Sequence, residues 1–326
     1  MENTKKIVRR AENKTVGAFL LKYAFYIMFV VMIIIFSVFT ERFMSFTNIT
    51  QLLGDSASFF ALCCGITFVI LCGKLDLSVG TTMLVAGNLC LVVNTNGSLP
   101  WVVVLIMSLA LGVIIGAFNG FMVTVLKMNP FIATMGTMIT SRGLIITYSR
   151  GDMYYTKGAM KDILSYRIGG SIPVLLIVAI ILVLVLQYIL RNTKFGRDVI
   201  AVGCNNASAQ KMGINVKRIN FSVYVLSGLF AAIAGIISVH NVGIASPATG
   251  NGLEFTGSCM VLLGGTSLFG GKGNFFPGIF FGVLFLMVVQ NGLAILGLNP
   301  YAIVLIRGAI IFIAMFMDSI KNMNKV

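Results

Sequence analysis

The stretch Arg191–Asn220, RNTKFGRDVIAVGCNNASAQKMGINVKRIN, is a polar, basic insert between two of the most apolar runs of the chain. It carries Arg191, Lys194, Arg197, Lys211, Lys217 and Arg218 against a single acid, Asp198. Inside it a short helix is marked at both ends. Asn205 or Asn206 supplies an N-cap oxygen, Ala207–Met212 suits helix, and Gly213 fits the left-handed position just past the end. A basic helix between two membrane-length runs falls on the cytoplasmic side by the positive-inside rule, where a soluble partner can reach it. A plain cytoplasmic connector would carry the same local features.

The runs on either side set the class. The chain is 58% hydrophobic and 10% charged, against the roughly 25% charged residues of soluble domains. With 35 glycines and a mean hydropathy of +0.97, it reads as an all-α, polytopic membrane protein. A net charge of +14 does not imply nucleic acid, because the basic residues lie between apolar runs rather than along one patch. Of the six cysteines, Cys63, Cys64, Cys72, Cys90 and Cys259 fall in or beside apolar runs without a metal-type CxxC pair. They read as small packing residues, with no disulfide or metal expected. The first apolar run is too long for a signal-peptide core and lacks a small-residue cleavage pattern, so it reads as a retained span.

Working outward, about ten spans are expected: Leu21–Thr40, Gln51–Cys72, a third reaching Val93, Val102–Leu126, a fifth reaching Tyr148, Ile172–Leu190, Phe221–Val239, Leu253–Leu268, Phe275–Leu296 and Tyr301–Met317. Residues 1–20 form a cytoplasmic N-terminal segment, 21–317 the transmembrane domain with its loop 191–220, and 318–326 a cytoplasmic tail. Trp101 suits a membrane interface. Glycines 112, 116 and 120 make a small-residue ladder that admits a close neighbour. Asn129-Pro130 and Asn299-Pro300 each pair an N-cap with a first-turn proline. The sixth span is nearly pure Ile, Val and Leu and reads as partly lipid-facing. On this assignment 17 of the 24 basic residues lie inside and five outside (Arg42, Arg150, Lys157, Lys161 and Arg167), with Arg142 and Arg307 within spans. That asymmetry puts both termini in the cytoplasm.

Two Gly-rich breaks interrupt the runs. VILCGKLDLSVG and VLLGGTSLFGGKG each lead an apolar stretch into small residues, and irregular backbone at membrane depth must be buried in protein or line a wet cavity. Paired breaks of this kind often flank a solute path. In the first, Asp76 has two readings: a cap on the third span, accepting from the amides of Ser78 or Val79, or a hydrogen-bonding partner of a polyhydroxylated solute. Arg142, costly inside a span, either locks two spans through an ion pair or carbonyl contacts, or lines the path. Glu254 reads as an interfacial or capping carboxylate and His240, beside a loop, as solvated. Asn88, Asn119 and Asn291 read first as helix-to-helix hydrogen-bonding groups. GGTSLFGGKG fails the phosphate-loop pattern twice, with Thr266 where the first glycine belongs and Gly273 at the Ser/Thr position. Any dependence on ATP therefore belongs to another subunit.

GKLDLSVG, NPFIATMGTM with Arg142, FGRDVIAVGCNNASAQKMGINV and LLGGTSLFGGKG, four motifs in register, resemble the ribose-type branch of ATP-binding cassette (ABC) importer permeases, from about residue 45 onward. The resemblance implies a multi-pass subunit of the bacterial plasma membrane, itself not an enzyme, that translocates a ribose-like monosaccharide. It implies a second permease copy, most simply a homodimer, and a periplasmic or lipid-anchored binding protein. It also implies a cassette ATPase holding ATP and Mg, with no cofactor in this chain. Arg197, Gly203, Asn205, Asn206, Ala207 and Gly213 would form the ATPase-coupling element; Asp76, Ser78, Asn119 and Arg142 would shape the translocation path. One departure is Asn241, where relatives often carry arginine. Uptake of a nucleoside or a furanosyl quorum signal is the alternative within the family. An ion-coupled secondary carrier is the alternative outside it, with only Asp55, Asp76 and Glu254 as candidate ion sites.

Overall fold

A computed structural model of the chain describes residues 25–95, 99–155, 167–168 and 172–323. The segment 1–20, Lys22, Lys157, Lys161 and Lys325, all used in the charge count, lie outside the described residues. The helices are α1 (Phe25–Phe39), α2 (Phe46–Leu71), α3 (Val79–Thr95), α4 (Trp101–Thr124) and α5 (Pro130–Ser149). They continue with α6 (Val174–Asn192), α7 (Lys194–Cys204), α8 (Asn206–Lys211), α9 (Val216–Val242), α10 (Leu253–Leu263), α11 (Phe280–Ile295) and α12 (Pro300–Met323). Two short antiparallel pairs join the loops: β1 (Tyr154–Tyr155) with β4 (Ile244–Ala245), and β2 (Arg167–Ile168) with β3 (Ile172–Pro173). Among the described residues, five segments are long and apolar enough to cross a membrane: α2, α4, α6, α9 and the run Phe275–Ile295 that ends in α11. This is a helical membrane protein.

The bundle is built around α9, which packs against α2, α3 and α4. Its approach to them is set by absent side chains. A Cβ at Gly112 would overlap the Gly228 carbonyl, one at Gly116 the Tyr224 carbonyl, and one at Gly228 the Gly112 carbonyl. The expected ladder on α4 is thus the groove into which α9 fits. On other faces of α9, Gly235 meets the Met83 carbonyl of α3, and Gly65 of α2 meets the backbone of Ser227. In α2, 83% of the apolar window is buried, against 28% in α6 and 22% in α4. The outward surfaces of α4 and α6 are Ile, Val, Leu and Phe, which only lipid or another apolar surface can cover. Gly228→Val is expected to lower the thermal midpoint in detergent markedly. Overpacking costs about 1–3 kcal/mol, and here the obstacle is backbone, which has no rotamer to yield. A wild-type midpoint would refute the close approach.

Local chemistry accounts for most helix ends. Asn129 Oδ1 accepts from Phe131 N (2.9 Å) ahead of Pro130, and Asn299 Oδ1 accepts from Tyr301 N (2.9 Å). Several boundaries differ from the expected spans. α2 begins at Phe46, where Ser45 Oγ accepts from Asn48 N, and α9 begins at Val216, where Asn215 Oδ1 accepts from Arg218 N (3.0 Å). In both, one polar turn precedes the apolar run and is helical because a cap holds it. α10 stops at Leu263 instead of Leu268, because Gly264 is followed by Gly265 at φ +91°. α12 continues to Met323, past the expected end at Met317.

Candidate functional site

After Leu71 the chain leaves helix at Gly73, in the left-handed region at φ +68°, and resumes it at Val79. The gap is filled by a closed polar network around Asp76, which is 7% exposed. Asp76 Oδ1 accepts from the Ser78 amide (2.9 Å) and the Ser78 hydroxyl (2.6 Å), and Oδ2 accepts from the Ser227 hydroxyl (2.7 Å). The Asn119 amide donates to Ser78 Oγ (2.7 Å), and the Thr137 hydroxyl donates to Asn119 Oδ1 (2.6 Å). Thr134 Oγ1 accepts from Leu77 N (3.1 Å), and the Tyr224 hydroxyl donates to Leu75 O (3.2 Å). Polar side chains from α4, α5 and α9 thus converge on one break. Each hydrogen bond in the chain Thr137–Asn119–Ser78–Asp76 points toward the carboxylate, an order that strengthens its members. The capping contact is present, and both carboxylate oxygens are engaged within the protein.

Three of the four path candidates, Asp76, Ser78 and Asn119, therefore meet in one network, and Arg142 does not. It lies five residues beyond Thr137 on α5, about 7.5 Å further along the axis. There its Nη1 donates to Pro247 O (3.1 Å) in the loop between α9 and α10, and its charge reaches Glu254. Its contacts are those of a lock between α5 and that loop. Glu254 is buried in the first turn of α10, against Gly80 of α3. His240 corrects the sequence reading. It is 7% exposed, not solvated, because α9 packs along α2 there, with Asn241 bonded to Gly54 O, and its Nδ1 bonds Ile236 O (2.7 Å). Asn291 pairs with Asn48 through two amide hydrogen bonds (2.9 Å each), helix to helix, whereas Asn88 bonds back to its own helix at Leu84 O.

The basic insert folds as α7 and α8 and docks on both breaks together. Thr193 Oγ1 caps α7 at Gly196 N, and Asn205 Oδ1 caps α8 at Ser208 N (2.9 Å), with Gly213 at φ +80° beyond it. Gly203 abuts the Leu71 carbonyl, which accepts from Gly271 N (2.9 Å); a Cβ on Gly203 would overlap that carbonyl. A Cβ on Gly270 would meet Gly73 and the Gly203 carbonyl, and Cys204 Sγ lies 3.7 Å from Gly271 O. The end of α2, the GGTSLFGGKG break and the insert therefore share one backbone-to-backbone knot. Of the coupling candidates, Gly203 faces into the knot, while Arg197, Asn205, Asn206, Ala207 and Gly213 are exposed. Ser227, Thr134 and Thr137 were missed in the sequence, because a hydroxyl in an apolar run gives no local sign of what it bonds.

An apolar bundle with a buried polar break, two chain interruptions and a helical basic platform seated on both is the framework of a membrane transport subunit. The chain belongs to the family described as branched-chain amino acid transport system / permease component, whose model matches residues 48–315. Among curated relatives, it is 34% identical to the ribose import permease protein RbsC of Bacillus subtilis, over 90% of this chain and 91% of the relative. It is 32% identical to the D-allose transport system permease protein AlsC of Escherichia coli K12, over 90% of each chain. It is 30% identical to the fructose import permease protein FruF of Bifidobacterium longum, over 91% of this chain and 87% of the relative. No solved structure matches the chain.

Proposed function

We propose that this chain is the membrane-spanning permease subunit of an ABC importer that takes up a ribose-like monosaccharide. A binding protein outside delivers the solute, and a separate cassette ATPase, with its ATP and Mg, drives transport. The observation that carries this reading is the match, over about nine-tenths of the chain, to permeases named for ribose import, D-allose transport and fructose import. In this reading the subunit crosses the bacterial plasma membrane about ten times, as one half of a homodimer, with both termini and the α7–α8 platform in the cytoplasm. Exposed Arg197, Asn205, Asn206 and Ala207, with Gly213 closing α8, meet the ATPase, and Gly203 passes the motion on. Because Gly203 bears directly on Leu71 and Gly271, a push on α7 moves the end of α2 and the second break together. Asp76, Ser78 and Asn119 shape the path by holding the break to α4, α5 and α9. Arg142 does so through the loop at Pro247. Binding protein and nucleotide state then bias inward- and outward-open populations by their differential affinities.

The test is extraction of the tagged chain from its own membrane, together with uptake in intact cells. A cassette ATPase is expected to copurify, and labelled pentose or hexose uptake is expected to stop when ATP is depleted. Uptake of nucleosides or furanosyl signals instead of free sugars would move the reading to that branch. Ion-gradient-driven uptake in vesicles without an ATPase would replace it with a secondary carrier.

A further inference from the structure

At the far end of α2 from the knot, a cavity of about 240 Å³ opens between the first turns of α2, the last turn of α9 and the β2–β3 pair. It lies about 20 Å from Asp76 along the helix axis, by the rise of α9 from Ser227 to His240, and shares no residue with that network. Its lining is polar, with Gln51 and Asp55 from α2, Arg167 from β2, and His240 and Asn241 from α9. The framework is fixed: Asn241 Nδ2 donates to Gly54 O (2.8 Å), and His240 is held at Nδ1 by Ile236 O. The other ring nitrogen, His240 Nε2, is buried and has no hydrogen-bond partner among the described residues. That atom has no exposed surface, so the ring forms a fixed wall of the cavity, and the polar groups offered to a ligand are those of Gln51, Asp55, Arg167 and Asn241. Arg167 and Asp55 lie within electrostatic range of each other, so the lining offers one cation and one anion.

We infer that this cavity binds a neutral, polyhydroxylated molecule of monosaccharide size, as a holding site at the outer mouth of the permease. Hydroxyls both donate and accept, which suits a lining that mixes a carboxylate, a guanidinium and amides. A solute of net charge would face an unbalanced member of the Asp55–Arg167 pair. The volume falls below the roughly 300 Å³ at which sites for drug-sized ligands begin, which suits a single sugar ring. The inference rests on the solute reading above and adds a place where the solute waits, separate from the break at Asp76.

The experiment uses right-side-out membrane vesicles containing the importer, washed free of binding protein. A Gln51→Cys variant is labelled from outside with a membrane-impermeant maleimide, with and without a panel of pentoses and hexoses. Gln51 is exposed at the cavity, whereas Cys204 lies at the other end of the bundle, beside the knot, and the remaining cysteines are buried. At least one sugar is expected to slow labelling five-fold or more. Adding Asp55→Asn or His240→Leu to the variant is expected to abolish the protection, and adding Asp76→Asn to leave it intact. Failure to label from outside, labelling that no sugar slows, or protection indifferent to Asp55 and His240 would each overturn the holding site. Sugar uptake measured in parallel in intact cells separates the two ideas. Uptake without protection removes only the holding site, whereas ATP-driven uptake that excludes every sugar removes the solute reading on which it rests.

Discussion

Gly203→Asp is expected to reduce uptake to background while the subunit still inserts in the membrane, and to strip the ATPase from the purified complex. Three costs combine at this position. Any Cβ overlaps the Leu71 carbonyl, so α7 has to lift off the end of α2. The carbonyl it leaves accepts from Gly271 N, so the second break is disturbed with it. An aspartate carboxylate there would also face carbonyl oxygens, with the insert's cations on the exposed side. Overpacking against backbone belongs at the upper end of the 1–3 kcal/mol range, and the added charge raises it. Gly203→Ala separates sterics from charge, and is expected to weaken ATPase retention and to lower uptake by at least ten-fold. The measurement is ATPase recovery beside the tagged permease, paired with labelled-sugar uptake. Full recovery and uptake in the aspartate variant would show that α7 does not bear on the break.

The second large effect concerns Asp76. Asp76→Ala removes a cap worth about 1 kcal/mol and hydrogen bonds to a charged acceptor worth about 1.5–3 kcal/mol each. It also leaves the Ser227 and Ser78 hydroxyls without their acceptor inside the bundle. Folded yield and uptake are expected to fall together, with a loss of roughly 3–5 kcal/mol once the non-additivity of contacts within one network is allowed for. Asp76→Asn is expected to keep both, because its Oδ1 still accepts from Ser78 and its Nδ2 donates to Ser227 Oγ. The pair of variants discriminates between two roles. An asparagine variant that folds at wild-type yield yet transports nothing would assign the carboxylate to the solute, not to the break.

How much of this was readable in the chain varies with the range of the interaction. The caps at Asn129, Asn205 and Asn299, and the turn at Gly213, were legible because each is settled within four residues. The starts of α2 and α9 were placed too late because apolar character marks where lipid or core begins, whereas Ser45 and Asn215 mark where the helix begins. The two breaks were visible as glycine-rich interruptions. That Gly73 and Gly270 touch, with Gly203 between them and the platform, depends on the path of the intervening helices. His240 was misread for the same reason: its burial comes from α2, which is not near it in sequence. Asp76 was singled out, but Ser227, Thr134 and Thr137, which complete its shell or anchor the break, were not.

The seating of α9 has a mechanical corollary. It touches α2 at Ser227, α4 at Gly228 and α3 at Gly235 through main-chain atoms, with no side chain between. A side chain can swing to another rotamer and let two rods slide; a carbonyl pressed against a glycine has no such slack. Sliding along α9 would strip all three seats before any new register formed, so α2, α3, α4 and α9 travel as a single keel. Whatever opens and shuts has to move against that keel, and the break after Leu263, outside it, is a place where helix has already been given up. The basic platform rests on both, on the keel at Leu71 and on that break at Gly271.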